Sequence, residues 1–439
     1  MKRKADVIIV GTGASGLFCA LHLPKSMDVL MITKEDATLS DSYLAQGGIS
    51  TLKDKEDYES YYEDTMKAGH YENNPESVDI MIQSSPVIIH ELIQYGVDFD
   101  KNGEEIAYTR EGGHSKFRIL HHKDITGKEI TSKLYDRVKE RDNITIIEHT
   151  MMVDIIEENG NCRGIVVCEP NGTMQPYYAQ NIVMATGGVG GLFQHSTNFR
   201  HLTADGLAIA IHHKITLENI NYIQIHPTTL YSKKPGRRFL ISESVRGEGA
   251  VLLNKEGERF VDELLPRDVV TEAIREQMKK DQDDHVYMSV KHLGKEKLLT
   301  HFPNIYERCL EEGYDMTKDL IPVTPSQHYF MGGIKVDKNS ATSMPHLYAV
   351  GETSCNGVHG KNRLASNSLL EALVFAQRAA NHIVEENGDG IIVEVPVNMV
   401  QYSSKEDIQE KYCEIVLEEI KRRDEEFYAK WCHNETTVG

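Results

Sequence analysis

The glycine pattern Gly11-Thr-Gly-Ala-Ser-Gly16 constrains the fold of this chain more than any other feature. It follows Asp6 to Val10, which is predicted to be a buried strand, and precedes a helix predicted over Leu17 to Leu23. A second strand, Asp28 to Thr33, completes a β-α-β unit. Glycines at these positions let the backbone approach a pyrophosphate, and the helix N-terminus offers free N–H groups to it. The pattern predicts a dinucleotide-binding domain; the alternative is a tight strand-helix turn that binds no ligand.

The rest of the chain predicts an α/β fold with an α+β character overall. Helices are expected within Tyr58 to Tyr95 and over 366–386, and an exposed terminal helix is expected from Ser403 onward. Further strands are predicted at Ile144 to Ile147, Met152 to Ile156, Gly164 to Val167, Asn181 to Ala185 and His346 to Val350. Residues from about 220 to 330 lack the strand-glycine-helix rhythm, so they are predicted to form an inserted domain.

Composition excludes several classes of protein. Asp and Glu outnumber Lys and Arg by 67 to 48, and this acidic balance disfavours nucleic-acid and anionic-membrane partners. The apolar run after the first basic residues is too short for a signal peptide or a membrane span. The seven cysteines contain no C-x-x-C pair, so we expect reduced thiols in a cytoplasmic protein and no metal site.

The residues after the second strand indicate which dinucleotide the chain binds. An NAD site usually has an acid at that strand's end, but Thr33-Lys34 comes first here and Glu35-Asp36 only after it. A small-residue turn, Ala45-Gln-Gly-Gly-Ile49, comes soon afterwards, and Gly351-Glu352 lies near the other end of the chain. A ligand that residues from both ends of the sequence contact must be long, which favours FAD.

Six motifs carry a family resemblance. They are Gly11 to Gly16, Ala45 to Ile49, Ile225-His-Pro-Thr228, Pro266-Arg-Asp-Val-Val270, His328-Tyr-Phe-Met-Gly-Gly333 and His359-Gly-Lys-Asn-Arg-Leu-Ala-Ser-Asn-Ser-Leu-Leu370. In this order they resemble the succinate dehydrogenase/fumarate reductase flavoprotein family. The resemblance implies a Rossmann-like FAD-binding domain interrupted by a capping domain, with a dicarboxylate bound between them. The implied boundaries are 1–219 and 330–392 for the FAD-binding domain, 220–329 for the capping domain and 393–439 for a short C-terminal helical segment.

The resemblance also implies the cofactor contacts. Membrane-complex members attach FAD through a His five residues before the Gln of A-Q-G-G, and Asp41 stands at that position here. A carboxylate cannot form that link, so we expect non-covalent FAD. The implied cofactor contacts are Gly11, Gly13, Ala14, Ser15, Gly16, Lys34, Ser40, Asp41, Ser42, Ala45, Gln46, Gly47, Gly48, Asp205, Glu352, Ser368 and Leu369.

Glu111, in Arg110-Glu-Gly-Gly-His-Ser115, resembles the version of this stretch found in the L-aspartate-oxidising branch of the family. The ammonium of aspartate would be repelled by a site rich in Arg and His unless a carboxylate compensated it. The alternative without a ligand-binding role is that Glu111 pairs with Arg110, Lys116 or Arg118 on a loop surface.

The activity implied by this resemblance is oxidation of L-aspartate to iminosuccinate, with oxygen, giving hydrogen peroxide, or fumarate as electron acceptor. This reaction would be the first step of NAD biosynthesis through quinolinate, with a possible functional link to quinolinate synthase.

Four further residues are implied to bind the dicarboxylate. Arg363 has the planar fork that suits a carboxylate, although it could instead lie over a helix end at the surface. His226 and His328 are implied to donate to carboxylate oxygens, with Thr228 helping; both could instead be ordinary core histidines.

Arg267 is the residue that the family uses to transfer a proton when fumarate is reduced. A guanidinium almost never gives up its proton, so this role requires a relay to water. We therefore expect Arg267 chiefly to bind and polarise the substrate during oxidation and to transfer protons when fumarate is the acceptor. The bland alternative is an ion pair with Asp268 or Glu263.

Two other functions remain open at this point. A soluble fumarate reductase with non-covalent FAD would turn over succinate or fumarate without responding to aspartate. A non-catalytic FAD-binding scaffold would contain a flavin that no dicarboxylate reduces.

Overall fold

The computed structural model describes residues 3–386 and 391–432. The strands are β1 (Lys4–Val10), β2 (Val29–Ile32), β3 (Ile49–Ser50), β4 (Lys101–Asn102), β5 (Glu105–Ile106), β6 (Ile119–Leu120), β7 (Ile144–Ile147), β8 (Met151–Glu158), β9 (Asn161–Cys168), β10 (Met174–Met184), β11 (Leu217–Glu218), β12 (Ile223–Leu230), β13 (Val251–Leu253), β14 (Val286–Ser289), β15 (Ile321–Phe330), β16 (Gly333–Lys335), β17 (Leu347–Ala349) and β18 (Ser354–Cys355). The α-helices are α1 (Ala14–His22), α2 (Asp41–Leu44), α3 (Tyr58–Ala68), α4 (Pro75–Gln94), α5 (Thr126–Lys139), α6 (Asp205–His212), α7 (Glu243–Gly247), α8 (Arg267–Asp281), α9 (Lys295–His301), α10 (Pro303–Glu311), α11 (Asn367–Glu385), α12 (Lys405–Arg423) and α13 (Glu425–Phe427). The predicted mixed α/β class is confirmed.

A seven-stranded sheet forms the centre of the nucleotide-binding part. Its strands follow the order β7-β2-β1-β10-β9-β8, and β17 also pairs with β10. The five strands β7, β2, β1, β10 and β17 are parallel, whereas β8 and β9 form an antiparallel extension. The last four residues of β1 are all buried, as expected for a parallel strand covered on both faces. The carboxyl ends of β1, β2 and β10 meet at one edge, where sheets of this type bind ligands.

Helices cover both faces of this sheet. Phe18 of α1, Leu134 of α5 and Leu373 of α11 share one buried cluster with residues of β1 and β2. Leu207 of α6 and Val416 of α12 belong to the cluster on the opposite face. Fully burying a side chain of this size contributes about 1.5–3 kcal/mol, so these two apolar layers fix the sheet edge on which the site is built.

A separate four-stranded antiparallel sheet, in the order β12-β15-β14-β13, lies within the predicted capping segment. It has its own apolar core, which includes Leu230, Ile274 of α8 and Val323. The first residue of β12, Ile223, pairs with the last residue of β15, Phe330. The chain thus leaves and re-enters the nucleotide-binding part at adjacent points, as an insertion requires. The domain boundaries themselves remain a prediction.

Helix α12 is not exposed all round, in contrast to the prediction. Its Ser404 cap accepts a hydrogen bond from the N–H of Asp407, and Ile408, Val416 and Ile420 are buried. The charge alternation that indicated exposure therefore describes only the outer face. Residues 433–439 of the predicted C-terminal segment lie outside the described residues.

The end of the described chain contacts α8 of the capping segment. Lys430 forms an ion pair of 2.7 Å with Glu272, and the guanidinium of Arg275 lies 5.0 Å from the ring centroid of Trp431. These contacts connect the C-terminal segment to the helix that begins at Arg267. Within 3–386 and 391–432, no helix is long and apolar enough to cross a membrane.

Candidate active site

A large cavity extends from the carboxyl edge of the seven-stranded sheet to the capping segment. Its wall includes the strand ends Val10 and Ile32, and also His226 of β12 and Arg267 of α8. The empty volume is about 1740 Å³, including the part open to solvent. The cavity is long enough for one end to be formed by the glycine turn and the other by charged side chains.

Nearly all the predicted site residues line this cavity. The exceptions are Ala14 and Gly16 among the predicted cofactor contacts and Thr228 among the predicted substrate contacts. The N–H of Ala14 donates to Ser42 Oγ over 3.0 Å, and a Cβ on Gly16 would lie 2.2 Å from the carbonyl oxygen of Gly11. Ala14 and Gly16 therefore shape the turn and do not face the cavity.

The glycine turn at the end of β1 suits a diphosphate. Gly11 has φ +116°, and a Cβ there would lie 2.1 Å from the carbonyl oxygen of Ala185, so only glycine fits. Helix α1 follows with Gly13 as its N-cap and no side-chain cap. Ser42 uses the Ala14 N–H, but the N-cap side chain binds none of the N–H groups that follow it, so these are left for an anionic ligand, whose negative charge the helix dipole favours.

The loop after β2 presents polar atoms that need a ligand. Ser40 Oγ, Asp41 Oδ2 and Gln46 Oε1 are buried and have no hydrogen-bond partner among the described residues. Buried polar groups are normally paired, so three such atoms in one loop fit the polar edge of a cofactor such as FAD. Burial raises the pKa of Asp41 to about 7, even though the N–H of Phe199 donates to it over 2.9 Å.

Two predicted cofactor contacts are paired with each other. Lys34 Nζ lies 2.5 Å from Asp205 Oδ2 and also donates to Thr203 Oγ1 over 2.9 Å. Their charges largely cancel, which leaves the wall between β2 and α6 close to neutral. Glu352 lies elsewhere on the cavity wall, and burial raises its pKa to about 8.

Arg363 is a buried cation at the other end of the cavity. It is 6% exposed, it donates to Ser368 Oγ and His328 Nε2, and its guanidinium lies 4.3 Å from the ring centroid of Tyr329. Within the described ranges, no carboxylate lies within 4 Å of it. Burial, followed by repulsion from Arg267, lowers the pKa of Arg363 to about 10, so it remains charged at neutral pH. A buried guanidinium without a counter-ion is a site for a carboxylate ligand.

His328 orients Arg363. Because arginine can only donate, His328 Nε2 accepts from Arg363 over 3.1 Å, and the ring proton therefore lies on Nδ1. That nitrogen is 2.8 Å from Thr197 Oγ1. In this arrangement both ring nitrogens of His328 have protein partners and the ring holds the guanidinium; the donor role that the resemblance implied stays a prediction.

His226 has the donor that His328 lacks. Its Nδ1 accepts the N–H of Thr228 over 3.2 Å, so the proton lies on Nε2, which is buried and has no protein partner in the described chain. Burial, followed by the nearby Arg267, holds the pKa of His226 well below its ordinary value, so the ring is neutral. The Thr228 hydroxyl donates to the Ile241 carbonyl over 3.0 Å. Thr228 thus positions His226 and does not reach the cavity.

Arg267 is the first residue of α8 and is buried. Its Nε donates to Glu243 Oε2 over 3.0 Å, and its Nη1 donates to Gln224 Oε1 over 2.8 Å. The bland alternative was wrong, because Asp268 is instead 2.9 Å from His70 and Glu263 is 2.5 Å from Arg259. Gln224 Oε1 also lies 3.4 Å from Arg363 Nε, so one neutral amide links the two guanidiniums.

Glu243 and Arg246 were not among the predicted site residues. Arg246 Nη2 lies 2.5 Å from Glu243 Oε2, and Nη1 donates to the Glu263 carbonyl over 2.6 Å. The three buried side chains therefore form a hydrogen-bonded row in the order Arg267, Glu243, Arg246. An opposite-charge pair at i,i+3, with Val245 between the two residues, was the available signal in the sequence.

Glu111 is 3% exposed and lies on the cavity wall. Its Oε1 accepts from Ser244 Oγ over 2.5 Å, and its Oε2 accepts from Ser366 Oγ over 2.6 Å. The surface alternative was wrong: Arg118 is bound to Asp57 and Asp64, and no ion pair between described residues joins Glu111 to Arg110 or Lys116.

Comparisons with known proteins agree with this site. Residues 6–369 match the model of an FAD binding domain family. The chain is 53% identical over 384 residues to an L-aspartate oxidase from Clostridium perfringens, and the alignment covers 87% of each chain. The chain belongs to the L-aspartate oxidase family. A second L-aspartate oxidase, from Clostridium acetobutylicum, is 52% identical over 87% of this chain and 88% of that protein.

The fold is also similar to solved flavoproteins. A structure titled "Quinol-Fumarate Reductase with Menaquinol Molecules" has a TM-score of 0.84 at 30% identity, covering 97% of this chain and 77% of the other. The predicted wider family is therefore confirmed. The family match identifies FAD as the cofactor, in agreement with the glycine N-cap of α1 and the buried, unpartnered polar atoms of residues 40–48.

Proposed function

We propose that this protein catalyses the FAD-dependent oxidation of L-aspartate to iminosuccinate. The observation that carries the proposal is a pair of opposite buried charges on one cavity wall. Among residues 3–386 and 391–432, no carboxylate lies within 4 Å of Arg363 and no cation lies within 4 Å of Glu111, although both side chains are buried on this wall. A ligand that carries both a carboxylate and an ammonium satisfies both groups at once.

The remaining donors suit a second carboxylate. Arg267 and the Nε2 proton of His226 face the same cavity, and Gln224 fixes Arg267 relative to Arg363. Aspartate has two carboxylates and one ammonium, which matches this set. Succinate would satisfy the cations but offer Glu111 no cation to balance its buried charge, so the site discriminates against it.

Bound FAD would accept the hydride from C2 of the substrate while the amino group loses a proton to give the imine, and oxygen or fumarate would finally receive the electrons. The protein's own residues bind and orient. Arg363 and Arg267 hold the carboxylates, Glu111 holds the amino group, and neutral His226 donates without adding a positive charge.

Fumarate as electron acceptor requires a proton, and the buried order Arg267, Glu243, Arg246 supports its delivery. Arg267 gives up a proton only if another replaces it at once. Glu243 lies within hydrogen-bond distance of both guanidiniums and can pass protons between them. Because Arg246 is itself buried, these residues supply the inner part of the relay to water that the sequence alone left open.

The wider context of the reaction is inferred from the family resemblance. We place the reaction in NAD biosynthesis, with iminosuccinate passed to quinolinate synthase and with a cytoplasmic location. The rival fumarate reductase function is opposed by Glu111, for which succinate and fumarate offer no cation. The scaffold function is opposed by the buried charges, which binding of FAD alone would not require.

Anaerobic mixing tests the proposal. L-aspartate should bleach the oxidised flavin absorbance of the holoenzyme, whereas succinate should not, and Glu111→Gln should lose at least tenfold in the rate of bleaching by aspartate. Glu104→Gln removes an exposed carboxylate of the preceding hairpin and serves as the matched control. Bleaching by succinate but not by aspartate, unchanged in Glu111→Gln, would establish the fumarate reductase function instead.

A further inference from the structure

The carboxylate of Glu111 is held by neutral groups, and this distinguishes it from the other acid of the charged cluster. Glu243 is bound by two guanidiniums. Glu111 accepts only from the hydroxyls of Ser244 and Ser366 among the contacts of the described chain. Neutral donors fix the position of a carboxylate without cancelling its charge, so that charge remains available to a ligand.

Ser366 can direct its proton only toward Glu111. It has a left-handed backbone, φ 62° and ψ 2°, immediately before α11, a conformation that is uncommon for a residue with a side chain. Its Oγ accepts the N–H of Gly48 over 3.2 Å, which leaves the hydroxyl proton for Glu111 Oε2. The strained turn therefore joins Gly48, at the end of the 40–48 loop, to the acid.

Ser244 donates to Glu111 Oε1 from the side of the carboxylate that faces away from the cavity. It does not line the cavity, and its Oγ lies 3.1 Å from that of Ser242, which caps α7. Because Ser244 donates to Glu111, Ser242 is the donor to Ser244, and the hydroxyls form a chain in which each bond polarises the next. A Cβ on Gly47 would lie 2.8 Å from Glu111 Oε1, so the absence of a side chain there leaves room for the acid.

We propose that Ser244, acting with Ser366, is a positioning residue that sets the selectivity of this site for amino dicarboxylates over plain dicarboxylates. The inference rests on the proposed function, because it takes the ammonium of the substrate as the partner of Glu111. A carboxylate has about four acceptor positions, and the two hydroxyls use one on each oxygen. The remaining positions accept the ammonium while the acid stays fixed.

A matched pair of unreactive ligands tests this selectivity. 2-Methyl-L-aspartate carries the ammonium and both carboxylates but has no hydrogen at C2, whereas 2,2-dimethylsuccinate has a methyl group in place of the ammonium. The Kd of each is measured on the holoenzyme by titration calorimetry. The selectivity is the Kd of the succinate divided by that of the aspartate.

We expect Ser244→Ala to lower this selectivity about tenfold, because a hydrogen bond to a charged group is lost. Ser244→Thr retains the hydroxyl and should restore most of it. In a Glu111→Gln background, Ser244→Ala should change the selectivity less than twofold, since the group that it positions is no longer charged. Ser366→Ala should act in the same direction; if that variant does not fold, Ser244→Ala decides alone.

Equal selectivity in wild type and Ser244→Ala would overturn the inference, as would a tenfold effect that persists in Glu111→Gln. A wild-type protein that prefers the succinate would overturn both the inference and the ammonium role of Glu111. Reduction of the flavin by L-aspartate is scored separately: if wild type shows it while Ser244→Ala keeps full selectivity, only the inference fails.

Discussion

Replacing Arg118 by Met removes the buried cation that anchors the segment carrying Glu111. The Arg118 side chain is 0% exposed. Its Nε and Nη2 donate to the two carboxylate oxygens of Asp57, each over 2.9 Å, and its Nη1 donates to Asp64 over 2.7 Å. The next two residues form β6, which pairs with β3, the strand that directly follows the 40–48 loop. Met has a similar shape but no charge, so the variant leaves buried Asp57 with only the Ser60 hydroxyl at 2.7 Å and the Lys116 ammonium at 3.7 Å.

Removing one partner of a buried ion pair costs about 3–5 kcal/mol of folding free energy. Asp64 is partly exposed and can be solvated, so most of this cost comes from Asp57. At roughly 2 °C per kcal/mol for a domain of this size, Tm should fall by about 6–10 °C.

The loss should depend on pH. Burial acts to raise the pKa of Asp57, but hydrogen bonds from Arg118 and Ser60 outweigh it and lower the pKa below its ordinary value. A carboxyl with a lowered folded-state pKa stabilises the protein above its unfolded pKa of about 4, and this stability is lost as pH falls further. The difference in Tm between wild type and Arg118→Met should therefore be largest near neutral pH and shrink toward pH 3.

Differential scanning calorimetry of the holoenzyme measures both effects. Arg110→Met, on the same loop but exposed, is the control and should change stability by less than about 0.5 kcal/mol. The double variant Arg118→Met, Asp57→Asn should recover part of the loss, because no buried charge is left alone. A double variant as unstable as the sum of the two single variants would refute the ion-pair explanation.

Two further predictions concern the cavity. Glu243→Gln should slow reoxidation of the reduced enzyme by fumarate at least about a hundredfold, as loss of proton transfer does, and should slow reoxidation by oxygen much less; equal slowing in stopped-flow traces would exclude the relay. Burial raises the pKa of Asp41 to about 7, so the neutral acid is favoured in the fold and the stability of the flavin-free protein should fall as pH rises from about 4 to 7. Asp41→Asn should flatten this Tm profile, and an unchanged slope would contradict the assignment.

The sequence predicted best those elements whose pattern is local. The bounds of β7 agree with the prediction, because a short apolar run defines that strand. Those of α11 differ by one residue at each end, because its amphipathic period defines the helix. Strand β10 begins at Met174 instead of Asn181, since its first half pairs with β9 through residues such as Gln175 and Pro176 that do not look like a buried strand. Helix α1 begins at Ala14, inside the glycine pattern.

The substrate end of the site was predictable only in part. The family motifs named Arg363, Arg267 and His226, but not the contacts between them. Glu111 illustrates the limit, because its two hydroxyl partners lie in α7 and at the start of α11, far away in sequence. The proton position on His328 likewise depends on a neighbour 35 residues away along the chain.

The contact between the C-terminal segment and α8 gives this protein a built-in optical probe. Trp431 is the only tryptophan in the chain, and it lies against Arg275, on the helix whose first residue is Arg267. Emission excited at the red edge of protein absorbance therefore comes from one known position. Any displacement of α8 that accompanies dicarboxylate binding at Arg267 would change the surroundings of that indole, so the fluorescence of the unlabelled protein would time substrate capture.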